Sequence, residues 1–472
     1  MNFNTALFLF LFLPFFLIAY FIAQPRWRPL LGIIASGLFY AWGSTVNLAF
    51  ITGLILINYG LARLSDSKPS RWILPLGVFI NVGVLAFFKL FLSYGMAIFL
   101  GLDRFFPERV VNWLGTITFP LGLSFVSFQL IAYLLDVSKG TIKPERNLVS
   151  FAFYALMFPK LLAGPIVRYQ TVAEQLPAPT LDPNQIADGI RRFLRGFAKK
   201  ILIADVLAGT VNAVFALPGS ALTPTFAWLG LAGYALQIFF DFSGYTDMAI
   251  GLASMMGFRF IENFNYPYIA QSIGDFWRRW HISLSTWFRD YVFYPLERRR
   301  FPVMGQSINI LIVFLLTGLW HGVASSFILW GLLHGLFIAL EGLFLNNLLQ
   351  RTFRPIRHLY VLSVLLLTWL LFRAPSYEYI FDFLRALAGN ASAQILLPFA
   401  GISPLPFIEP SFVIAFIAGV VLSLPLGPVI QKHIDNSMPL TILNDLMLFA
   451  LFVLSVAFMT SGKFLPGIYG SF

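Results

Sequence analysis

Of the 472 residues, 58% are hydrophobic and only 11% are charged, whereas a soluble domain carries about 25% charged residues. This composition belongs to a membrane protein. The net charge of +11 sits in short loops, where the positive-inside bias and anionic lipid headgroups account for it better than nucleic acid does. Cysteine is absent, which excludes disulfides, cysteine-ligated metal and a thiol nucleophile, so covalent chemistry must run through oxygen or nitrogen.

The hydrophobic runs are continuous rather than alternating, so they are read as helices, each needing about 20 apolar residues to cross a bilayer. The first span, at 5–23, lacks the basic region and cleavage site of a signal peptide and is expected to be retained. Arg26 and Arg28 follow it, which places the N-terminus outside. Further spans are expected at 29–43, 46–62, 72–93 and 115–135. The loops PRWRP (25–29), SDSKPSR (65–71) and KGTIKPER (139–146) are basic and read as cytoplasmic. The loop with Asp103, Arg104, Glu108 and Arg109 is mixed and reads as external.

Residues 153–170 are apolar but carry Pro159, Gly164 and Pro165, which predicts a broken or re-entrant segment buried by protein. After a polar, proline-rich loop at 171–185, Arg191, Arg192, Arg195, Lys199 and Lys200 predict a basic helix lying at the headgroup level. The apolar region 226–256 is interrupted by DFSGYTDM (241–248). Asp241 and Asp247 there are functional candidates, as ionisable groups at membrane depth. Alternatively they cap helices or pair with arginines of the segment that follows.

That segment, 263–322, concentrates aromatic residues, arginines and two of the five histidines. Read as one helix, 276–294 places Trp277, Trp280, Leu284, Trp287, Phe288 and Tyr291 on a single face, with His281 at its edge. Residues 301–340 hold no charge at all and are expected to form a two-helix hairpin turning at GVASS (322–326). His321 then ends the first span between Gly318 and Gly322, which allow a backbone or a ligand to approach closely. A neutral imidazole so placed has the form of a general base; a structural histidine is the alternative for both His321 and His281. His334 in the returning helix reads as packing. Spans at 358–373, 411–431 and 441–461 complete an all-α integral membrane protein of about 11 transmembrane helices, read as a single domain over 1–472.

Six motifs in order carry a resemblance: FPLGLSFVSFQLIAYLLDV (119–137), FPKLLAGPIVRY (158–169), DFSGYTDMAIG (241–251), NFNYPY (263–268), FWRRWHISLSTWFRDYVFYPL (276–296) and GLWHG (318–322). On these the chain resembles membrane-bound O-acyltransferases, most closely the alginate O-acetyltransferase membrane subunits. The resemblance implies a multi-helix fold in a bacterial inner membrane, with a central tunnel from the cytoplasm to an outer funnel. It maps the family's catalytic histidine onto His321 and its second histidine onto His281. Trp320 and Trp280 would shape the tunnel, with Asp241 and Asn265 in support. The implied donor is cytoplasmic acetyl-CoA, used as substrate, with no tightly bound cofactor and no metal. The implied partner is an extracytoplasmic SGNH-type transferase that modifies an exported polysaccharide. PLERRRFP (295–302) departs from the glycine-rich continuation of the alginate type. Relatives that transfer D-alanine from a carrier protein to teichoic acid share the WRRWH and WHG motifs. From another class, a proton-coupled transporter would suit the broken segment 159–165, although no repeated halves are visible.

Overall fold

The computed structural model describes residues 1–67, 70–91, 118–298, 305–390 and 408–461. The mixed loop at 103–109 and Arg299 and Arg300 of the basic run lie outside the described residues. Among those described, every regular element is helical. They group into two compact units, each assembled from separate stretches. The first comprises Met1–Ile190, Ala249–Ile261 and Trp320–Ala324; the second comprises Arg191–Met248, Glu262–Leu319 and Ser325–Phe472.

Six helices are long and apolar enough to cross a membrane: Thr45–Ser67, Ile73–Leu90, Pro224–Met255, Ser325–Gln350, Arg354–Arg373 and Met438–Thr460. Three shorter apolar helices, Phe8–Ile22, Leu123–Ser138 and Gly305–His321, accompany them. Burial separates their roles. The apolar window of Pro224–Met255 is 72% buried, that of Met438–Thr460 only 17%, and side chains such as Phe449 and Leu446 stand exposed. A run of exposed large apolar groups is what a lipid-facing helix presents.

The structure departs from the sequence reading in four places. The span expected at 411–431 is two helices, Pro410–Leu422 and Gly427–Ile434, bent by 80°; Pro425 and Pro428 at the bend cannot donate backbone hydrogen bonds. The stretch 241–248 does not interrupt its helix, since Pro224–Met255 runs unbroken for 32 residues. Its two aspartates pair not with arginines of the 263–322 segment but with the 191–200 segment: Asp241 with Lys200 at 2.6 Å, Asp247 with Lys199 at 2.7 Å and Arg192 at 2.9 Å. Lys200 consequently lies inside the protein, not at headgroups. It is 3% exposed and binds Asp205 as well, at 2.5 Å. The fourth departure, a break at His281, belongs with the site below.

The pairing of Lys199 and Lys200 with the aspartates depends on close backbone approach at two glycines. A Cβ on Gly244 would meet Gly196 O at 2.8 Å and Lys200 N at 3.1 Å, and one on Gly196 would meet Gly244 O at 2.5 Å. No side chain fits there, and the backbones touch. Other expectations hold: the 153–170 segment is broken, passing from the Leu148–Leu156 helix through the four-residue Phe158–Leu161 helix into irregular chain at 162–168, and the hairpin turns at Gly322–Ala324. Gly244→Ala should lower the thermal stability of the detergent-solubilised protein by about 1–3 kcal/mol, the cost of overpacking. Gly209→Ala, where a Cβ meets nothing within 4 Å, serves as the control; equal stability of the two variants would contradict the close-approach account.

Candidate active site

Trp320 and His321 belong to the first unit, and Asp241, Asn265, Trp280 and His281 to the second. His321 is the last residue of the Gly305–His321 helix and is 5% exposed. Its carbonyl accepts from Lys89 Nζ at 3.5 Å, a cation where the helix dipole leaves partial negative charge. The Trp320 indole packs edge-on to Phe125 at 6.0 Å, stacks on Phe128 at 5.6 Å and meets the His321 ring at 4.6 Å. Aromatic packing of this kind restricts where the imidazole can point. Within the second unit, Gly318 serves the hairpin. Its Cβ would meet Phe327 O at 2.5 Å, and that of Gly331 would meet Phe314 O at 2.3 Å, so here the glycines admit a backbone.

In the second unit the WRRWH motif is clamped from both ends. Ser272 caps the Ile273–Arg279 helix by accepting from Asp275 N at 3.0 Å. The Glu341 carboxylate accepts from Ile273 N at 2.5 Å, Gly274 N at 2.9 Å and Tyr360 Oη at 3.0 Å. It thus satisfies donors that a helix start leaves open and places negative charge at the positive end of the dipole. The helix delivers Trp277, whose Nε1 donates to His334 Nδ1 at 3.2 Å. Accepting there leaves Nε2 as the protonated nitrogen of a neutral His334. Phe276, Trp277, Trp280, Trp330 and Trp369 form the aromatic cluster around this contact.

A single helix over 276–294 does not form. The first helix ends at Arg279, Trp280 is extended (φ −104°, ψ 130°), His281 is left-handed (φ 44°, ψ 53°), and a second helix runs Ile282–Phe288. Asn263 enforces the break. Its carbonyl accepts from Ile282 N at 3.0 Å, and its side-chain oxygen accepts from Ser283 N at 3.1 Å and Ser283 Oγ at 2.9 Å. The left-handed conformation costs a non-glycine residue about 1–2 kcal/mol, so a side chain kept there is a functional candidate. The His281 ring is 1% exposed and sits T-shaped against Phe242 at 4.7 Å. Burial pushes its pKa down to about 3, so the ring is neutral across the physiological range. Trp280, 2% exposed, packs against Phe264 at 5.0 Å. Asn265 is exposed and joins the motif through its backbone N, which donates to Arg279 O at 2.9 Å.

The membrane-bound O-acyltransferase family matches residues 145–381. The chain is 41% identical over 390 residues, 80% of its length and 76% of the relative's, to an Azotobacter vinelandii protein named "Probable alginate O-acetylase AlgI". It belongs to the membrane-bound O-acyltransferase family. Identity is 32% to a Helicobacter pylori peptidoglycan O-acetyltransferase, covering 82% of this chain and 80% of that one. A Bacillus subtilis teichoic acid D-alanyltransferase is 33% identical over 48% of this chain and 59% of its own. The chain is therefore a multi-pass membrane O-acyltransferase.

Sequence reasoning passed over Glu341, Asn263 and Lys89. Glu341 had a signal, being the first charged residue after the uncharged run 301–340. Glu341→Ala should lose about 1–3 kcal/mol of stability, the cost of leaving buried donors unmet, in thermal unfolding of the purified protein; wild-type stability would contradict the clamp. His281 generates a pH dependence. The folded imidazole refuses the proton that the unfolded chain accepts below about 6.5, so its contribution falls with acid between about 6.5 and 3. At pH 5 this amounts to about 2 kcal/mol. The stability difference between wild type and His281→Asn should narrow by that amount from pH 7 to 5; a constant difference would contradict it.

Proposed function

We propose that this enzyme moves an acetyl group from a cytoplasmic thioester, acetyl-CoA, across a bacterial inner membrane for O-acetylation of an exported polysaccharide. What carries the reading is the identity of about 40% to alginate O-acetylases over about four-fifths of the chain. In support, His321 lies buried at a helix end with its neighbour Trp320 held by two phenylalanines. The peptidoglycan O-acetyltransferase likeness, also over four-fifths of the chain, favours acetyl over the D-alanyl group, whose relatives align over a smaller share.

In this reading the whole chain works as one membrane domain around a tunnel. His321 is the general base, taking the proton of the attacking hydroxyl as its oxygen adds to the thioester carbonyl. His281 orients the donor or assists the proton transfer, and Trp280 and Trp320 line the passage. Asp241 holds the buried Lys200 charge at 2.6 Å and supports the second unit. The acceptor is an extracytoplasmic SGNH-type transferase that passes the group to the polymer. No tightly bound cofactor, metal or nucleic acid takes part.

His321→Ala should abolish polymer acetylation, a loss of about 10³-fold or more for a general base acting with its binding site, while membrane abundance stays at the wild-type level. Ester content of the exported polymer and immunoblotting of membranes measure the two. Normal acetylation by the variant would remove His321 from the chemistry.

A further inference from the structure

Within the first unit, the Leu123–Ser138 helix that holds Trp320 also reaches a buried lysine. Phe125 packs on Trp320. Gln129 follows four residues later and therefore lies on the same face. Gln129 is 1% exposed, and its Oε1 accepts a hydrogen bond from Lys160 Nζ. Lys160 is itself 1% exposed and lies in the short Phe158–Leu161 helix of the proline-broken segment. Its Nζ stands 3.9 Å from the centroid of the Tyr154 ring.

These partners leave the cluster rich in donors and poor in acceptors. A lysine offers three donors and an amide NH₂ two. Lys160 meets one amide oxygen and one aromatic face, and among the described residues no carboxylate pairs with it. Gln129 Nε2 has no acceptor. Leaving such groups unmet costs about 1–3 kcal/mol each, more for a charge. Among the described residues the other deeply buried lysine is met differently, for Lys200 is held by both Asp205 and Asp241. A lysine that only filled space would be neutralised in the same way. Lys160 is kept with neutral partners, its N–H groups available to an anionic oxygen, and is bonded to Gln129 of the helix that packs against the residue preceding His321.

We propose that Lys160 and Gln129 form the oxyanion site of the acyl-transfer reaction. The inference rests on the acyl-transfer reading and on His321 as its base. The acceptor oxygen bonds to the thioester carbonyl carbon as its proton passes to His321. The carbonyl π pair moves onto oxygen, and Lys160 Nζ and Gln129 Nε2 donate to that oxyanion. When the oxyanion collapses, the C–S bond breaks and the leaving thiolate takes the proton back from His321. Donors that find a full partner only when the charge develops stabilise the transition state more than the ground state.

The test measures CoA release from acetyl-CoA in membrane vesicles of the producing cell, which retain the acceptor, together with thermal unfolding of the purified full-length protein. Lys160→Met should lower kcat by about 10²–10³-fold, the effect of removing an oxyanion donor, with KM for acetyl-CoA changed by less than about threefold. Gln129→Glu should lower kcat similarly while leaving stability unchanged or raised, because it gives Lys160 a carboxylate and occupies its charge. Wild-type kcat in Gln129→Glu would overturn the proposal, since an ion pair satisfies a purely structural lysine, and this readout stands even if Lys160→Met fails to fold. A loss confined to KM would overturn it as well, assigning the lysine to a ground-state anion of the donor. His321→Ala separates the two readings. If it still releases CoA at the wild-type rate, the assignment of His321 as base falls; if it is inactive while Gln129→Glu is active, only the oxyanion site does.

Discussion

Lys200 sits between Asp205 and Asp241, 2.5 and 2.6 Å away, in a region where all three side chains are under a tenth exposed. That triad is the interaction on which the second unit depends. A buried charge without a partner is so costly that it would neutralise or leave the interior, and breaking a buried pair on one side is strongly destabilising. Holding the triad requires the 191–205 segment to run against the Pro224–Met255 helix, and the Gly196–Gly244 contact is what lets the two backbones approach. With Asp247 taken by Lys199 and Arg192, the long helix carries two aspartates without a break.

The same principle sorts the remaining charges. Glu341 is spent on two backbone N–H groups and a tyrosine hydroxyl, fixing the start of the helix that leads to His281. Lys89 is spent on the carbonyl of His321. Lys160 meets one amide oxygen and the Tyr154 ring face. A chain that is 11% charged thus puts buried charges such as Lys200, Asp247 and Glu341 to structural use.

How much of this was legible in the sequence depends on the range of the interaction. Local signals worked: Pro159, Gly164 and Pro165 foretold the broken segment, and the small residues after His321 foretold the hairpin turn. Signals that compete with distant contacts did not. The periodicity of 276–294 is helical on paper, yet Asn263, 19 residues before Ile282, captures two backbone N–H groups and turns His281 left-handed. The aspartates at 241 and 247 looked like interruptions because their lysine and arginine partners lie some 40 to 55 residues earlier in the chain. Periodicity reports the helix that a segment would form by itself, and it says nothing about a partner from elsewhere. The candidate histidines were visible as residue types, and the donor-rich pair at Gln129 and Lys160 only as two unremarked letters in separate motifs.

The central claim is that an acyl group crosses the membrane through this chain while its donor remains behind. Sealed, inside-out vesicles containing the enzyme, given acetyl-CoA labelled in the acetyl group and separately in the nucleotide, test it directly. The account predicts acetyl label esterified to polymer within the vesicle lumen and nucleotide label retained outside. Equal entry of both labels, or lumenal acetyl label without CoA released outside, would contradict it and describe a transporter instead.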